Sequence, residues 1–278
     1  MSVIQAIILG AVQGLTEFIP ISSSGHLVLA KTLLGVELPG ITFEVMVHLG
    51  TLLAVLLYFG RDIGQVIRAF FTELTRKRRR QKGIWGNADS RLGMLVVIGT
   101  IPAVVIGLLI KDWVETAFSS PVLVGAMLIV TGVVLWSSDR GRRGKRNKSD
   151  LRIGDALSIG LMQAFAILPG ISRSGFTISA GLRRRIDRPL AARYSFLLSI
   201  PAIAGAGFID LIEVVKTRPE LPWSAFIAGT VTAFVTGLMA IRLVMVMVSA
   251  GRFRYFAVYT WIVGAFVLIQ QLMRFLGV

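Results

Sequence analysis

Six apolar runs of membrane-spanning length limit what this chain can fold into. Crossing a bilayer takes about 20 mostly apolar residues, and runs that meet this length occupy residues 41–60, 92–110, 121–138, 194–212, 223–247 and 255–273. The chain of 278 residues is 54% hydrophobic, and its 16% of charged residues is too little to cover the surface of a soluble fold. The sequence therefore predicts an all-α, polytopic membrane protein.

Composition and charge exclude several other classes of function. The formal net charge is +15, but the Lys and Arg residues cluster between the apolar runs, which is typical of loop anchors, so we do not expect nucleic acid as a partner. The absence of cysteine rules out disulfides, thiolate metal sites and cysteine nucleophiles. The N-terminus reads MSVIQAIILG, without a basic n-region or a cleavage site, and we expect no signal peptide.

The positions of the basic residues predict the orientation of the spans. Of the 30 Lys and Arg residues, 24 fall in four segments, residues 61–91, 139–152, 182–193 and 242–254. Positive loops face the cytoplasm. If all four segments lie there, each of the six spans crosses the membrane once between consistent sides.

Two further apolar regions, residues 3–30 and 153–181, are interrupted by Pro, Gly and Ser and belong to an internal repeat. QGLTEFIPISSSGH at 13–26 aligns with QAFAILPGISRSGF when the chain is shifted by 150 residues. A second register, offset by 130, aligns GTIPAVVIGL, which starts at residue 99, with GTVTAFVTGL. Each half is then one broken segment followed by three spans.

The odd number of spans in each half predicts an inverted-topology repeat within a single membrane domain of residues 1–278. Residues 1–138 form the first half, 139–152 a basic cytoplasmic linker and 153–278 the second half. In such proteins the broken, re-entrant helix pairs meet near the bilayer midplane and form the site. We expect the first pair to open outward and the second inward.

The first broken segment carries an acid, hydroxyls and an imidazole in an apolar setting. Gln13 and Glu17 are four residues apart and share one face of a helix. A glutamate in hydrocarbon costs on the order of 3 kcal/mol, so it must face a partner, a cavity or a cation. After Pro20, the run Ser22–Gly25 is a helix cap and also a potential anion site. His26 adds a group that can transfer protons or attack phosphorus.

The second broken segment, PGISRSGFT at 169–177, carries Arg173 between two serines. An intramembrane arginine needs an anion, and its planar fork suits phosphate oxygens. A salt bridge to Glu17 is the alternative for the empty site. The second half has Ile167 where the first has Glu17, and Phe176 where it has His26. This divergence favours a chemical site over a symmetric transport path.

Three further polar residues are weaker candidates. Glu44 and His48 belong to one span and could line the same cavity, and Asp210 is a plausible supporting group near the outer end of its span. Each is equally compatible with a packing role.

These motifs resemble the integral-membrane undecaprenyl-diphosphate phosphatases of the bacitracin-resistance type. That family shows (E/Q)-xxx-E followed by serines and a histidine, and PGxSRSxxT in the second half; this chain has QGLTE, SSSGH and PGISRSGFT in those places. The resemblance covers essentially the whole chain. Gln13 stands at the first position, which the family pattern allows, and it leaves Glu17 as the only carboxylate of that motif.

The resemblance implies hydrolysis of undecaprenyl diphosphate to undecaprenyl phosphate and inorganic phosphate, which regenerates the lipid carrier for cell-wall glycans. It also implies a divalent cation, Mg²⁺ or Ca²⁺, for which we expect Glu17 and Gln13 as ligands. The expected location is the bacterial plasma (inner) membrane, with the site open to the periplasmic face. Expected partners are the polyprenyl diphosphate and membrane lipids, and the chain could also form a homodimer.

On this basis we assign a candidate role to each polar residue of the two motifs. The catalytic candidates are Glu17, His26, Ser23 and Arg173. The candidate substrate-binding residues are Gln13, Ser22, Ser24, Gly25, Gly170, Ser172, Ser174 and Thr177. The nucleophile stays open among Ser23, His26 and water. A lipid flippase or secondary transporter using the same midplane site is the main alternative, because inverted repeats with broken helices are also a transporter architecture; an anion channel is a further one.

Overall fold

The described part of the chain is helical throughout its regular structure. A computed structural model describes residues 1–36, 42–75, 83–118, 120–139, 144–217 and 222–276, and within them it has no strand. The α-helices are α1 (Val3–Phe18), α2 (Ser23–Leu34), α3 (Thr42–Tyr58), α4 (Gly60–Thr75), α5 (Ala88–Leu109), α6 (Lys111–Phe118), α7 (Pro121–Asp139), α8 (Ile153–Phe165), α9 (Arg173–Arg183), α10 (Arg188–Thr217), α11 (Trp223–Ser249) and α12 (Arg254–Leu276).

Within those ranges, five helices are long and apolar enough to cross a membrane. They are α5, α7, α11, α12 and the part Arg188–Phe208 of α10. Helices α3 and α4 pass the same test only as a pair, and a bend of 72° separates Thr42–Tyr58 from Gly60–Glu73. The predicted all-α, multi-pass membrane fold is confirmed, and each of the six predicted runs corresponds to one of these elements.

The segment 61–91, which the charge pattern suggested to be a basic loop, is largely helical. Helix α4 occupies its first part, a 3₁₀ turn follows at Gly83–Gly86, and α5 begins before its end. The reason is a period of three to four residues among Ile63, Val66, Ile67 and Phe70, which gives α4 an apolar face. The basic run at 76–80 lies outside the described residues.

Both broken segments interrupt their helices with the same serine cap. Helix α1 ends at Phe18 and α2 begins at Ser23, whereas α8 ends at Phe165 and α9 begins at Arg173. The Ser22 hydroxyl accepts a hydrogen bond from the Gly25 amide at 3.3 Å, and the Ser172 hydroxyl accepts one from the Gly175 amide at 3.1 Å. Each cap satisfies one of the amide donors that a helix start leaves free. Both predicted breaks are therefore present.

Two glycine contacts pack the broken segments against the spans in equivalent ways. A Cβ atom on Gly10 of α1 would lie 2.2 Å from the Gly229 carbonyl oxygen of α11, and one on Gly160 of α8 would lie 2.2 Å from the Gly99 carbonyl oxygen of α5. The offsets of 150 and 130 convert the first pair into the second. These contacts are consistent with the predicted repeat; the inverted orientation of its halves and their boundaries stay predictions.

Candidate active site

A cavity of about 480 Å³ lies where the two broken segments meet. Helices α3, α6 and α10 complete its wall with apolar side chains such as Val45, Phe118 and Ile203. Polar side chains line the rest; they are Thr16, Glu17, Ser23, Ser24, Glu44, His48, Ser172 and Arg173. The cavity therefore combines a charged, hydroxyl-rich region with an apolar wall, which suits an amphiphilic ligand.

Glu17 joins the two broken segments by a network of hydrogen bonds. Its carboxylate is only 7% exposed, and its Oε2 accepts hydrogen bonds from Gln13 Nε2 at 2.9 Å and from Ser23 Oγ at 2.7 Å. Its Oε1 accepts from Arg173 Nη2 at 2.7 Å. The salt bridge that the sequence offered as the alternative for the empty site is thus present. It joins side chains that are 156 residues apart in the chain.

Arg173 retains donor capacity beyond this salt bridge. It is the first residue of α9, and its Nη1 is buried without a hydrogen-bond partner among the described residues. A buried donor without a partner costs about 1–3 kcal/mol. A guanidinium has five N–H donors in a fork that matches phosphate geometry, so an anion entering the cavity would relieve this cost.

The serines around the cavity belong to two groups. Ser23, Ser24 and Ser172 line it, where the N-termini of α2 and α9 also favour negative charge. Two residues predicted to bind substrate, Ser22 and Ser174, lie behind this layer. The Ser22 Oγ lies 3.2 Å from the Ser24 Oγ, and the Ser174 Oγ lies 3.2 Å from the Ser172 Oγ.

The other predicted substrate-binding residues act on the backbone or the packing around the cavity. Gly25 supplies the capped amide of α2, and Gly170 has a φ of 89° that favours glycine. The Gly170 carbonyl accepts a hydrogen bond from Thr131 at 3.1 Å. Thr177 is turned toward α10, with its Oγ1 2.5 Å from Ser195 Oγ. Gly25, Gly170 and Thr177 do not line the cavity. Sequence reasoning missed Thr131, because no local pattern places α7 beside this loop.

His26 is not brought together with Glu17. Its Nδ1 lies 2.8 Å from the Ser22 carbonyl oxygen and its Nε2 lies 2.9 Å from the Tyr259 hydroxyl. A carbonyl only accepts, so in the neutral ring Nδ1 carries the hydrogen and Nε2 accepts from Tyr259. The rings of His26 and Tyr259 also stack, with centroids 5.6 Å apart. In this conformation His26 faces α12 and does not line the cavity.

Glu44 and His48 line the cavity, as the sequence suggested they could. His48 Nε2 lies 3.8 Å from Glu17 Oε2, and its Nδ1 is 2.7 Å from the Glu44 carbonyl oxygen. The Glu44 carboxylate forms an ion pair with Lys31 of α2, a contact that sequence reasoning did not predict. Asp210 is the third of these candidates, and its side chain lies outside the described residues.

The described residues around the cavity provide few ligands for a divalent cation. The ranges that the structure describes contain no group of three or more His, Asp or Glu residues arranged to hold a metal ion. Glu17 is a single carboxylate, and the Oε1 of Gln13 beside it is buried and has no hydrogen-bond partner in the described part of the chain. Mg²⁺ is often held by one or two carboxylates together with substrate phosphates and water. The residues therefore fit a cation only in company with phosphate oxygens.

Comparison with known proteins identifies the family. The model of the family described as bacitracin resistance protein BacA matches residues 6–266, which include both motifs and the cavity between them. The chain belongs to this family. The resemblance that the two motifs suggested is thereby confirmed over nearly the whole chain.

Curated members of the family are similar over their full lengths. The undecaprenyl-diphosphatase of Desulforudis audaxviator is 43% identical over 274 residues, which is 99% of this chain and 100% of that protein. The undecaprenyl-diphosphatase of Desulforapulum autotrophicum is 43% identical over 267 residues, or 95% and 96% of the two chains. That of Methanosphaera stadtmanae is 40% identical over 273 residues, or 97% and 98%.

Proposed function

We propose that this chain hydrolyses undecaprenyl diphosphate to undecaprenyl phosphate and inorganic phosphate. The observation that carries the proposal is the contact between Glu17 and Arg173 inside a cavity with an apolar wall. This cavity lies in a membrane protein whose relatives at 40–43% identity are named undecaprenyl-diphosphatase. A diphosphate needs charge neutralisation and a nucleophile, whereas its prenyl chain needs an apolar route.

Arg173 is the proposed anchor of the diphosphate. Its unpartnered Nη1 and the hydroxyls of Ser24 and Ser172 point to phosphate oxygens as ligands. When phosphate binds, Arg173 shares its donors between the anion and Glu17. The Glu17 carboxylate then keeps its hydrogen bonds from Gln13 and Ser23. Because Arg173 now donates less to it, Glu17 can accept a proton more readily.

Ser23 is the group best placed to attack phosphorus. Its Oγ already donates to Glu17 Oε2 at 2.7 Å, which is the geometry of a nucleophile beside its base. In the proposed step, the Ser23 oxygen bonds to the terminal phosphorus while its proton passes to Glu17. The anhydride P–O bond breaks, and undecaprenyl phosphate leaves with the bonding electron pair. Water then adds its oxygen to the phosphorus of the phosphoserine and its proton to the Ser23 oxygen, which restores the hydroxyl and releases inorganic phosphate, while Glu17 returns its proton to the solvent.

A divalent cation, Mg²⁺ or Ca²⁺, would be held by Glu17 and the Oε1 of Gln13, and it would neutralise charge on the phosphate oxygens.

The role of His26 as an alternative nucleophile or base requires its side chain to leave Tyr259, because both ring nitrogens have partners in the structure. Trapping of a phosphorylated residue distinguishes these routes. Phosphoserine at residue 23 supports the proposal, phosphohistidine at residue 26 replaces it, and the absence of both favours direct attack by water.

We further place the protein in the bacterial plasma (inner) membrane, with the cavity open to the periplasmic face. The support is the clustering of 24 of its 30 basic residues in segments that would all lie on the cytoplasmic side. In this orientation the prenyl chain would leave the cavity laterally between spans. Homodimer formation stays a prediction.

The decisive experiment measures phosphate release from undecaprenyl diphosphate by the purified chain in detergent, with and without Mg²⁺ or Ca²⁺. We expect cation-dependent release by the wild type and loss of release in Glu17→Ala. Movement of the lipid between leaflets without phosphate release would support the flippase or transporter alternative and contradict the proposal. Conductance of a planar bilayer that contains the protein tests the anion-channel alternative: anion conductance without phosphate release would support a channel and contradict the proposal.

A further inference from the structure

Two further cavities lie on the other side of α10, away from the candidate active site. The first, of about 310 Å³, is basic and will be called the head cavity; it is lined by Lys145, Asn147, Lys148, Asp187, Leu190 and Arg193, among others. The second, of about 170 Å³, is apolar and will be called the tail crevice; it is lined by Ile63, Val66, Leu92, Val96, Leu197 and Ile200, among others.

The two cavities are aligned along one face of α10. Leu190 and Arg193 line the head cavity, whereas Leu197 and Ile200 line the tail crevice. Steps of three and four residues keep these side chains on the same side of a helix. Arg193 also reaches α4, where its Nη1 donates to Asp62 Oδ1 at 3.0 Å, next to Ile63 of the tail crevice. The two cavities therefore follow one another along α10, the basic one first and the apolar one next, and together they will be called the track.

The track is located where the spans begin. The apolar stretch of α10 starts at Arg188 and that of α5 at Ala88. The head cavity is within about one turn of these starts, and the tail crevice is one to two turns further into the spans. Lipid phosphates lie at the level where spans enter the bilayer, and acyl chains lie below them.

The charges of the head cavity are nearly balanced. Arg193 pairs with Asp62, Lys148 forms an ion pair with Asp89, and Asp187 lines the cavity. Lys145 is exposed and forms no ion pair within the described ranges. The Arg193 and Lys148 side chains are 41% and 29% exposed, and each retains further N–H donors. A small free anion gains little from the head cavity alone, whereas an amphiphile that also fills the tail crevice gains apolar burial in addition.

We propose that the head cavity and the tail crevice together bind an anionic phospholipid. Its phosphate contacts Lys145, Lys148 and Arg193, and the first part of one acyl chain occupies the crevice between α4, α5 and α10. This site is separate from the cavity around Glu17 and Arg173. The proposal depends on the membrane placement of the helices and not on the proposed hydrolysis.

The test uses the full chain, purified in a neutral detergent and titrated with phosphatidylglycerol or with phosphatidylcholine of the same chain length. Retained lipid is measured by native mass spectrometry. We expect preferential retention of phosphatidylglycerol, weakened about five-fold in Lys145→Gln, which removes one unpaired cation, and weakened by a smaller factor in the charge-balanced double variant Asp62→Asn/Arg193→Gln. Arg68→Gln is the matched control, because Arg68 is an exposed cation of α4 outside the head cavity.

The tail crevice has its own matched pair of variants. Val96→Phe fills the crevice, whereas Val97→Phe adds the same ring at a neighbouring position of α5 that is 57% exposed and does not line it. We expect weaker retention in Val96→Phe only. Thermal unfolding without added lipid verifies that each variant folds; if Val96→Phe does not, Lys145→Gln, at an exposed position, still decides.

Several outcomes would overturn the proposal. They are equal retention of the two phospholipids, equal losses in Arg68→Gln and Lys145→Gln, and binding of inorganic phosphate as tight as that of phosphatidylglycerol. Tighter retention of a polyprenyl monophosphate at the same residues would replace the phospholipid with a reaction-related ligand. Phosphate release from undecaprenyl diphosphate is measured in parallel, and its loss or persistence leaves the lipid result unaffected.

Discussion

The first broken segment, α1–α2, and the second, α8–α9, share a serine cap and a glycine packing contact but differ in their chemistry. Each begins its second helix with a capping serine and packs a glycine against the backbone of a span. Their functional side chains differ at equivalent positions: the first has Glu17 and Ser23, and the second has Ile167 and Arg173. The comparison is consistent with the predicted repeat, and the charges are divided between its halves so that Glu17 and Arg173 neutralise each other across the cavity.

The largest effect is expected for Arg173→Ala, which removes the cation that only the second segment supplies. Phosphate release should fall about a thousand-fold, because a guanidinium aimed at developing negative charge acts in a water-poor site. Release of phosphate from undecaprenyl diphosphate by the purified variant measures this. Arg173→Lys is the control, since it keeps the charge and loses the fork. Unchanged turnover in Arg173→Ala would remove this residue from the mechanism.

Glu17→Ile makes the first segment resemble the second at this position and should be slightly less damaging. We expect phosphate release to fall on the order of a few hundred-fold, because the base beside Ser23 is lost. The variant also leaves the Arg173 charge without its partner. Thermal unfolding of Glu17→Ile, of Arg173→Leu and of the double variant Glu17→Ile/Arg173→Leu then measures the coupling between the two side chains. Additive losses of stability would contradict a direct contact between the two side chains.

The shared scaffold is tested by placing a methyl group at each glycine contact. Gly10→Ala and Gly160→Ala should each lower the free energy of unfolding by about 1–3 kcal/mol, because the new Cβ would meet a carbonyl oxygen. Gly64→Ala is the matched control, since nothing lies within 4 Å of its added Cβ. Thermal unfolding in detergent measures all three. If Gly10→Ala and Gly160→Ala lowered the free energy of unfolding by very different amounts, the two glycine contacts would not be energetically equivalent.

The smallest effect concerns the glutamine that precedes each break. Gln13 donates to Glu17, whereas both amide atoms of Gln163 are buried without a partner within the described residues. Gln163→Leu should therefore leave stability unchanged or raise it by about 1 kcal/mol, and Gln13→Leu should lower it by about the same amount. Thermal unfolding of the two variants provides the comparison. Destabilisation by Gln163→Leu would indicate that this amide has a partner, such as ordered water.

Local patterns in the sequence predicted the framework of the site well. Hydropathy indicated the spans, Pro20 and Gly170 marked the breaks, and the serines next to them became caps. Charge in an apolar setting singled out Glu17 and Arg173, because neither group can remain in hydrocarbon without a partner. These features depend on neighbours within a few residues or on bulk burial, and both can be inferred from sequence.

The direction in which side chains face could not be predicted in the same way. His26 was expected at the reacting centre, yet its ring is bonded and stacked to Tyr259, which is 233 residues away in the chain. Thr177 was expected to bind substrate, and its hydroxyl is directed to Ser195. Both orientations depend on which helix packs alongside, and no local pattern encodes that.

By itself the sequence determined that this protein is a helical membrane protein with two interrupted segments and a few charges that must find partners. Only the tertiary structure decided that Glu17 receives hydrogen bonds from Gln13, Ser23 and Arg173 at once. It also decided that His48 lies beside this group and that α4 bends away from α3. The physical reason is that burial and chain breaks are local properties, whereas the pairing of charges depends on how distant helices pack.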